Sequence, residues 1–145
     1  MHTLSYESKA SKPLSTVEME KLLEEARANN NKQDITGCLI YYMGTFMQVL
    51  EGEKEIIEAL YAKIKKDERH TNVQMFSNDS IDLRTFPNWG MAYYPIDQNN
   101  TSKAEFEQFK RNLMLLSDLT FPNNPTALTF WKRMKFLISS PPDIF

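Results

Sequence analysis

Apolar residues recur along this chain with two different periods, and the switches between them mark its elements. Thr3–Ser8 alternates, with Leu4 and Tyr6 on one face, and predicts a short first strand. After a loop at Ser11–Pro13, Ser15 and Glu18 stand at capping-box spacing. Met19, Leu22, Leu23 and Ala26 follow at i, i+3, i+4 and i+7, which predicts a helix with one apolar stripe. Asn29–Asn31 should end it, since asparagine tolerates the left-handed geometry of a helix end. Ile35–Tyr42 and Thr45–Glu51 read as a hairpin about a tight turn at Met43–Gly44. A second helix is expected from about Glu53 to Lys66, with Ile56, Ile57, Leu60, Tyr61 and Ile64 on its stripe. Its acids cluster at the start and its lysines at the end, as the helix dipole favours. Val73–Ser77 and Trp89–Tyr94 are the next strands, joined by a loop holding Phe86-Pro87.

The order β-α-β-β-α-β-β belongs to the α+β class and contains the βαββαβ core of a ferredoxin-like sandwich, with both helices on one sheet face. Asp97–Thr101 then reads as a polar linker. Ser102 and Glu105 repeat the capping box ahead of Phe106, Phe109, Leu113 and Leu116. Asn124-Pro125 offers an N-cap and a first-turn proline to a helix carrying Leu128, Trp131 and Leu137, which Pro141-Pro142 ends. Two amphipathic helices after a complete sandwich are expected to cover the opposite sheet face. The chain therefore divides into a sandwich, residues 1–96, and a helical extension, residues 97–145.

One residue breaks the pattern. Gln48 sits between Phe46 and Leu50 at strand spacing, so its amide lies on an apolar face, while Met47 and Val49 make the other face apolar too. A buried amide left without partners costs about 1–3 kcal/mol. Something polar, from the protein or from a cofactor, must be buried beside it. Tyr6 is a candidate: its phenol, with a pKa near ~10 in model peptides, is neutral at pH 7 and donates one hydrogen bond from a neighbouring central strand. Trp89 and Met91 share one face of the last strand, where an indole and a polarizable sulfur serve either chemistry or ordinary core packing.

Composition narrows the function classes. With 145 residues, 41% of them hydrophobic, the chain can bury one good core with a modest appendage. A net charge of −2 provides no global basic field for nucleic acid or acidic lipid. The single cysteine, Cys38, excludes an internal disulfide or a multi-cysteine zinc site and reads as a small core residue. The first residues lack the apolar run of a secretory signal, and no stretch approaches the ~18 apolar residues of a membrane span, so a cytoplasmic protein without membrane association is expected. The P-loop, G-x-G-x-x-G, G-x-S-x-G and H-E-x-x-H patterns are absent, and His2 and His70 lie far apart. Neither a metal site nor a histidine-based triad is expected.

Several short segments acquire meaning together. They are Tyr6 on the first strand, Ala26-Arg27-Ala28-Asn29-Asn30 at the helix end, Ile35-Thr36-Gly37 opening the second strand, and Phe46-Met47-Gln48-Val49-Leu50-Glu51-Gly52. Asp67-Glu68-Arg69-His70 and Phe86-Pro87-Asn88-Trp89-Gly90-Met91 complete the series. In this order and spacing the chain resembles the BLUF family of flavin-binding blue-light sensors over roughly its first two-thirds. Each segment alone is a weak signal; the ensemble is highly specific.

The resemblance implies a ferredoxin-like sandwich holding FAD, with FMN as the alternative, between its two helices with the ring toward the sheet. It implies Tyr6 and Gln48 as the photoactive pair, with Trp89 and Met91 as switching residues of the last strand. Asn30 is implied at the ring carbonyls, Asn29 against the ring plane, and Lys63 and Asp67 toward the ribityl and phosphate end. Arg27, Leu50, Arg69, His70 and Met91 complete the implied cofactor contacts. Ala26 stands where some members carry a serine that hydrogen-bonds near the glutamine.

The family's mechanism implies proton-coupled electron transfer from Tyr6 to the excited flavin, followed by rotation or tautomerisation of Gln48. The flavin then absorbs further to the red in a new hydrogen-bond pattern, and no substrate is turned over, so the protein is not expected to be an enzyme. No cyclase or phosphodiesterase domain fits after Tyr94, so output is expected to pass to a separate, unidentified signalling protein. A bacterial homo-oligomer is expected. Two rival readings compete. An RNA-recognition module would stack bases on Tyr41, Tyr42 and Phe46, but the RNP pattern is absent, the charge is slightly acidic, and the tail helices would cover the sheet. A small ligand-sensing or acylphosphatase-like protein would need a phosphate loop or an activated nucleophile, and the chain offers neither.

Overall fold

The computed structural model describes residues 1–86, 92–96, 102–119 and 124–139. Among these, the strands are β1 (His2–Ala10), β2 (Thr36–Tyr42), β3 (Thr45–Gly52), β4 (His70–Ser80) and β5 (Ala92–Ile96). The helices are α1 (Thr16–Lys32), α2 (Lys54–Lys66), α3 (Lys103–Leu119) and α4 (Pro125–Ser139). The strands form one sheet in the order β4-β1-β3-β2-β5, antiparallel except for β5, which runs parallel to β2. This is the ferredoxin-like sandwich with one added strand. No helix among the described residues is long and apolar enough to cross a membrane.

The predicted caps form. Ser15 Oγ accepts the Glu18 N–H at 3.1 Å, Ser102 Oγ accepts that of Glu105 at 3.2 Å, and Asn124 Oδ1 accepts that of Ala127 at 2.9 Å. Met43 and Gly44 both take positive φ, 50° and 86°, as a two-residue hairpin turn with the twist of its strands requires. At Gly37 a Cβ would stand 2.0 Å from the Val49 carbonyl oxygen, so only glycine lets β2 approach β3 there.

Five elements differ from the sequence reading in their bounds or buried face. β1 is a full nine-residue strand rather than a short one, buried from His2 to Ser8 because it lies between β3 and β4. β4 extends from His70 to Ser80, well beyond Val73–Ser77; its polar residues suit a sheet edge and hide the strand from hydrophobic pattern. α1 runs through Asn29–Asn31 to Lys32, and the left-handed residue is Asp34, with φ 55°. In α4, Leu128 is exposed, and the buried stripe is Ala127, Phe130, Trp131, Met134 and Ile138. β5 is described over Ala92–Ile96 and so runs past the expected end at Tyr94, while Trp89, Met91 and the side chains of Phe109 and Leu116 lie outside the described residues.

The sheet has two cores. On one face, Leu4, Tyr6, Leu39, Phe46 and Leu50 meet Met19 and Leu22 of α1 and Ile57 and Tyr61 of α2. On the other, Cys38, Ile40, Tyr42, Met47 and Val49 meet Phe106 and Leu113 of α3 and Phe130, Trp131, Met134 and Ile138 of α4. The tail helices therefore cover the far face, as their stripes predict. Cys38 is a core residue whose thiol burial pushes up in pKa. Tyr41, Tyr42 and Phe46 are all buried, which leaves no aromatic platform of theirs open for base stacking.

Candidate functional site

Between α1 and α2, over the sheet, lies a cavity of about 460 Å³, within the size range of small-molecule sites. One face of α1 supplies Leu22, Glu25, Ala26, Asn29 and Asn30, which follow at i, i+3, i+4, i+7 and i+8. α2 supplies Leu60, Lys63, Ile64 and Lys66, and the turn into β4 adds Asp67, Arg69 and His70. Tyr6, Leu39, Phe46 and Gln48 make the floor.

The centre of that floor is polar. Tyr6 and Gln48 are register partners on β1 and β3, and the Tyr6 hydroxyl donates to Gln48 Oε1. Both side chains are buried. Burial pushes the Tyr6 phenol up from its ordinary pKa, with Tyr61 and Asp67 acting in the same direction, so it enters any chemistry protonated. The Tyr6 ring is tilted against Tyr61 at 5.7 Å and meets His70 edge-on at 6.4 Å, while His70 lies 4.7 Å from the Phe46 ring. His70 Nδ1 bonds the Ser8 hydroxyl at 2.7 Å. Burial depresses the His70 pKa; Asp67 opposes that shift and Arg69 reinforces it, so the ring is neutral at pH 7.

One end of the cavity is charged. Arg69 Nε bonds both Asp67 carboxylate oxygens, at 3.0 and 3.1 Å, and this guanidinium holds the Asp67 carboxyl below its usual range. Arg69 also reaches Glu25 of α1 at 3.7 Å, joining the α1 wall to the α2–β4 corner. With Lys63 and Lys66 alongside, this rim carries three cations and two acids, a setting suited to phosphate.

Of the residues singled out in the sequence, Tyr6, Asn29, Asn30, Gln48, Lys63, Asp67, Arg69 and His70 come together around this one cavity. Leu50 and Arg27 are not among its lining residues. Leu50 lies fully buried opposite Leu4, and Arg27 lies on the exposed side of α1, off the Ala26–Asn30 face. Walls supplied by Leu22, Glu25, Leu39, Leu60, Ile64 and Lys66 were not singled out as site residues, and Phe46 only as a motif member and base-stacking candidate. For Leu22, Leu39, Leu60 and Ile64 the signal was the apolar pattern itself, which reads the same for a core contact as for a cavity wall; Glu25 and Lys66 read as ordinary helix-surface charges. The donor set fits a flavin. Apolar walls suit a flat ring system, the amides of Asn29, Asn30 and Gln48 suit its polar edge, and the cationic rim suits a phosphate tail.

Fold and site thus define a ferredoxin-like sandwich with a cavity over a buried phenol–amide pair. A model of the BLUF family, sensors of blue-light using FAD, matches residues 1–92, and the chain belongs to that family. The photoactivated adenylate cyclase subunit alpha of Euglena gracilis is 33% identical over 117 residues, 81% of this chain and 11% of that protein. The photo-activated state of BlsA is 30% identical with a TM-score of 0.64, covering 97% of each chain. Klebsiella pneumoniae BlrP1 with FMN and cyclic diGMP is 26% identical with a TM-score of 0.71, covering 95% of this chain and 34% of the other. The chain spans only about a tenth of the length of the cyclase relatives it matches, 10% for one beta subunit and 11% for the alpha subunit. The region they share is that of a light sensor binding a flavin, not of an enzyme.

Proposed function

We propose that the cavity between α1 and α2 holds FAD, with FMN as the alternative, and that the protein reports blue light by rearranging hydrogen bonds around Tyr6 and Gln48. In this reading residues 1–96 are the photosensor and residues 97–145 its output extension. Asn29, Asn30 and Gln48 hold the ring, Lys63 and Asp67 hold the ribityl and phosphate end, and Arg69 and His70 add further cofactor contacts. Leu50 and Arg27 support the site from outside the lining, and Trp89 and Met91 act in the switch. When bound, the flavin supplies blue-light absorption and, once excited, an acceptor for an electron.

The rest is done by the chain. Tyr6 enters protonated, and its hydroxyl is already bonded to Gln48 Oε1. Loss of an electron makes a phenol strongly acidic, so its O–H bond breaks along that hydrogen bond and an O–H forms on the amide oxygen. When electron and proton return, both residues regain their composition and only the amide's orientation differs. A turned amide presents NH₂ where its carbonyl stood, and the Tyr6 oxygen then accepts where it formerly donated. Neighbours of the amide must rearrange to stay satisfied, because a buried unmet group costs about 1–3 kcal/mol. That rearrangement is the signal, and it passes through the last strand and the tail helices to a downstream signalling protein. We read the protein as cytoplasmic, bacterial and homo-oligomeric, acting on neither nucleic acid nor membrane.

The observation that carries this reading is the buried Tyr6–Gln48 hydrogen bond on the cavity floor. Its test is the absorption spectrum of the purified protein before and during blue illumination, in wild type and Tyr6→Phe. Wild type should contain flavin and redden reversibly; Tyr6→Phe should retain flavin and lose the shift, since the ring still packs without its proton. A Tyr6→Phe protein that reddens with wild-type yield sinks the assignment.

A further inference from the structure

The sheet buries a carboxylate that events at Tyr6 and Gln48 leave unused. Glu51 lies fully buried on β3, three residues beyond Gln48, and strand alternation directs it away from the cavity. Its Oε2 accepts the Thr85 N–H at 2.6 Å; its Oε1 accepts the Phe86 N–H at 2.8 Å and, more distantly, the Thr36 hydroxyl at 3.4 Å. Arg84 completes the cluster. Its Nη1 donates to the Thr36 hydroxyl at 2.8 Å and the Glu51 carbonyl at 3.1 Å. Its Nη2 donates to the Asp34 carbonyl at 2.9 Å and carboxylate at 3.2 Å. Asn124, the N-cap of α4, donates from Nδ2 to the Thr85 hydroxyl at 3.3 Å.

These bonds form one connected set. It begins at Asp34, four residues past the cavity-lining Asn30, crosses the end of β3, and ends at the first turn of α4. Burial raises the Glu51 pKa, while the Thr85 and Phe86 N–H groups and Arg84 pull it down. An apolar side chain would fill this space without a desolvation cost, so the group's yield is geometry: two backbone donors held at fixed positions.

We propose that Glu51 is a positioning residue of the photocycle, holding the segment after β4 and the start of α4 so that a change at Gln48 reaches α4 through Glu51, Thr85 and Asn124. The inference rests on the reading of Tyr6 and Gln48 as the photoactive pair. β3 is paired on both sides, to β1 and to β2, so a displacement at Gln48 is carried along the strand rather than absorbed at an edge. The two ends of the strand segment then respond together.

The test uses the full chain loaded with flavin, as wild type, Glu51→Gln and Thr85→Val. Glu51→Gln sets an amide NH₂ against one of two N–H donors. Thr85→Val keeps volume and both backbone N–H groups but removes the hydroxyl that meets Asn124. Both variants should redden. Glu51→Gln should change the dark-recovery rate by about tenfold or more, the scale on which a hydrogen bond to a charged group acts on a barrier. Both should lose the light–dark difference in hydrogen exchange across Pro125–Ser139 that wild type shows. A merely structural Glu51 would lower the melting temperature and leave recovery and exchange difference at wild-type values, which overturns the proposal. So does wild type that reddens without an exchange difference in α4. Should Glu51→Gln fail to fold, the near-isosteric Thr85→Val decides by its exchange difference alone. Wild type that never reddens is a separate result: it removes the photoactive-pair reading, and this inference with it.

Discussion

Tyr6 and Gln48 face one another at a single register position, and each meets the other's need for a partner in a buried floor. Gln48→Leu roughly keeps the volume and removes the amide. The expected outcome is a protein that retains flavin, shows no light-minus-dark difference spectrum, and loses about 1–3 kcal/mol of stability from the orphaned phenol. A normal red-shifted product would assign the switch to another residue. Asn30→Ala should act on the cofactor instead: losing ring hydrogen bonds worth about 0.5–1.5 kcal/mol each weakens flavin affinity severalfold, measurable by fluorescence titration. His70 makes a prediction in pH. Its folded pKa is depressed below the ordinary 6.5, so between those two values the unfolded chain binds more protons than the folded one. Stability from keeping His70 neutral is therefore full above about pH 6.5 and lost as pH falls through its lower folded value. Urea midpoints measured between pH 7.5 and 5 should fall for wild type and stay flatter for His70→Gln. Asp67, held down by Arg69, titrates below the carboxylate value of 3.8 and stays outside that window.

At the scale of elements, the β2–β3 pairing depends on one glycine. Gly37→Ala would place a Cβ 2.0 Å from the Val49 carbonyl oxygen, and both atoms belong to paired backbones that cannot step aside singly. Destabilisation of about 3 kcal/mol or more is expected, read from chemical denaturation. Wild-type stability would mean the strands can separate there at no cost. The same pair shows what was legible in the sequence. The hairpin, both cavity-side helices and the capping boxes were readable because period and cap chemistry act locally. β4 was truncated in that reading because an edge strand's stability comes from its neighbour β1, which leaves its own residues free to be polar. On α4, Trp131 and Leu137 were placed correctly, but Leu128 was taken in place of Ala127, because hydrophobicity alone does not say which of two adjacent apolar residues faces the sheet. The cavity walls were hidden for a related reason: Leu22 and Ile64 are helix-stripe residues wherever they sit, and only the fold shows that a space lies over them. Glu51 was read only as part of a family motif, since its partners at Thr85 and Phe86 lie over thirty residues away.

On the scale of the whole molecule, the sheet is a wall with a cavity on one side and the tail helices on the other. Alternation along β3 sends Gln48 to the first side and Met47 and Val49 to the second, so the two compartments share a strand. The tail is bound to this wall by more than apolar contact. Arg133 of α4 makes a bidentate pair with Glu7 of β1 at 2.8 and 3.1 Å, and the Thr126 hydroxyl donates to the Asp79 carboxylate of β4. Phe106, Leu113, Phe130, Trp131, Met134 and Ile138 are essentially withdrawn from solvent against Cys38, Ile40, Met47 and Val49. Large apolar side chains contribute about 1.5–3 kcal/mol each on burial. Their combined effect is on the scale of the ~5–15 kcal/mol that stabilises a whole domain. Deleting residues 102–145 should therefore do more than silence an output. The truncated chain is expected to aggregate or to lose cooperative unfolding, and with it the cavity and the bound flavin. By contrast, Arg133→Gln, which cuts one bidentate pair and leaves the buried Glu7 carboxylate without it at a cost of about 1–3 kcal/mol, should leave both intact. Circular dichroism, sedimentation and flavin absorption on the two proteins check this. A soluble, folded and reddening chain ending at Thr101 would show that the cavity side stands alone and that the tail is dispensable for folding and for the colour change.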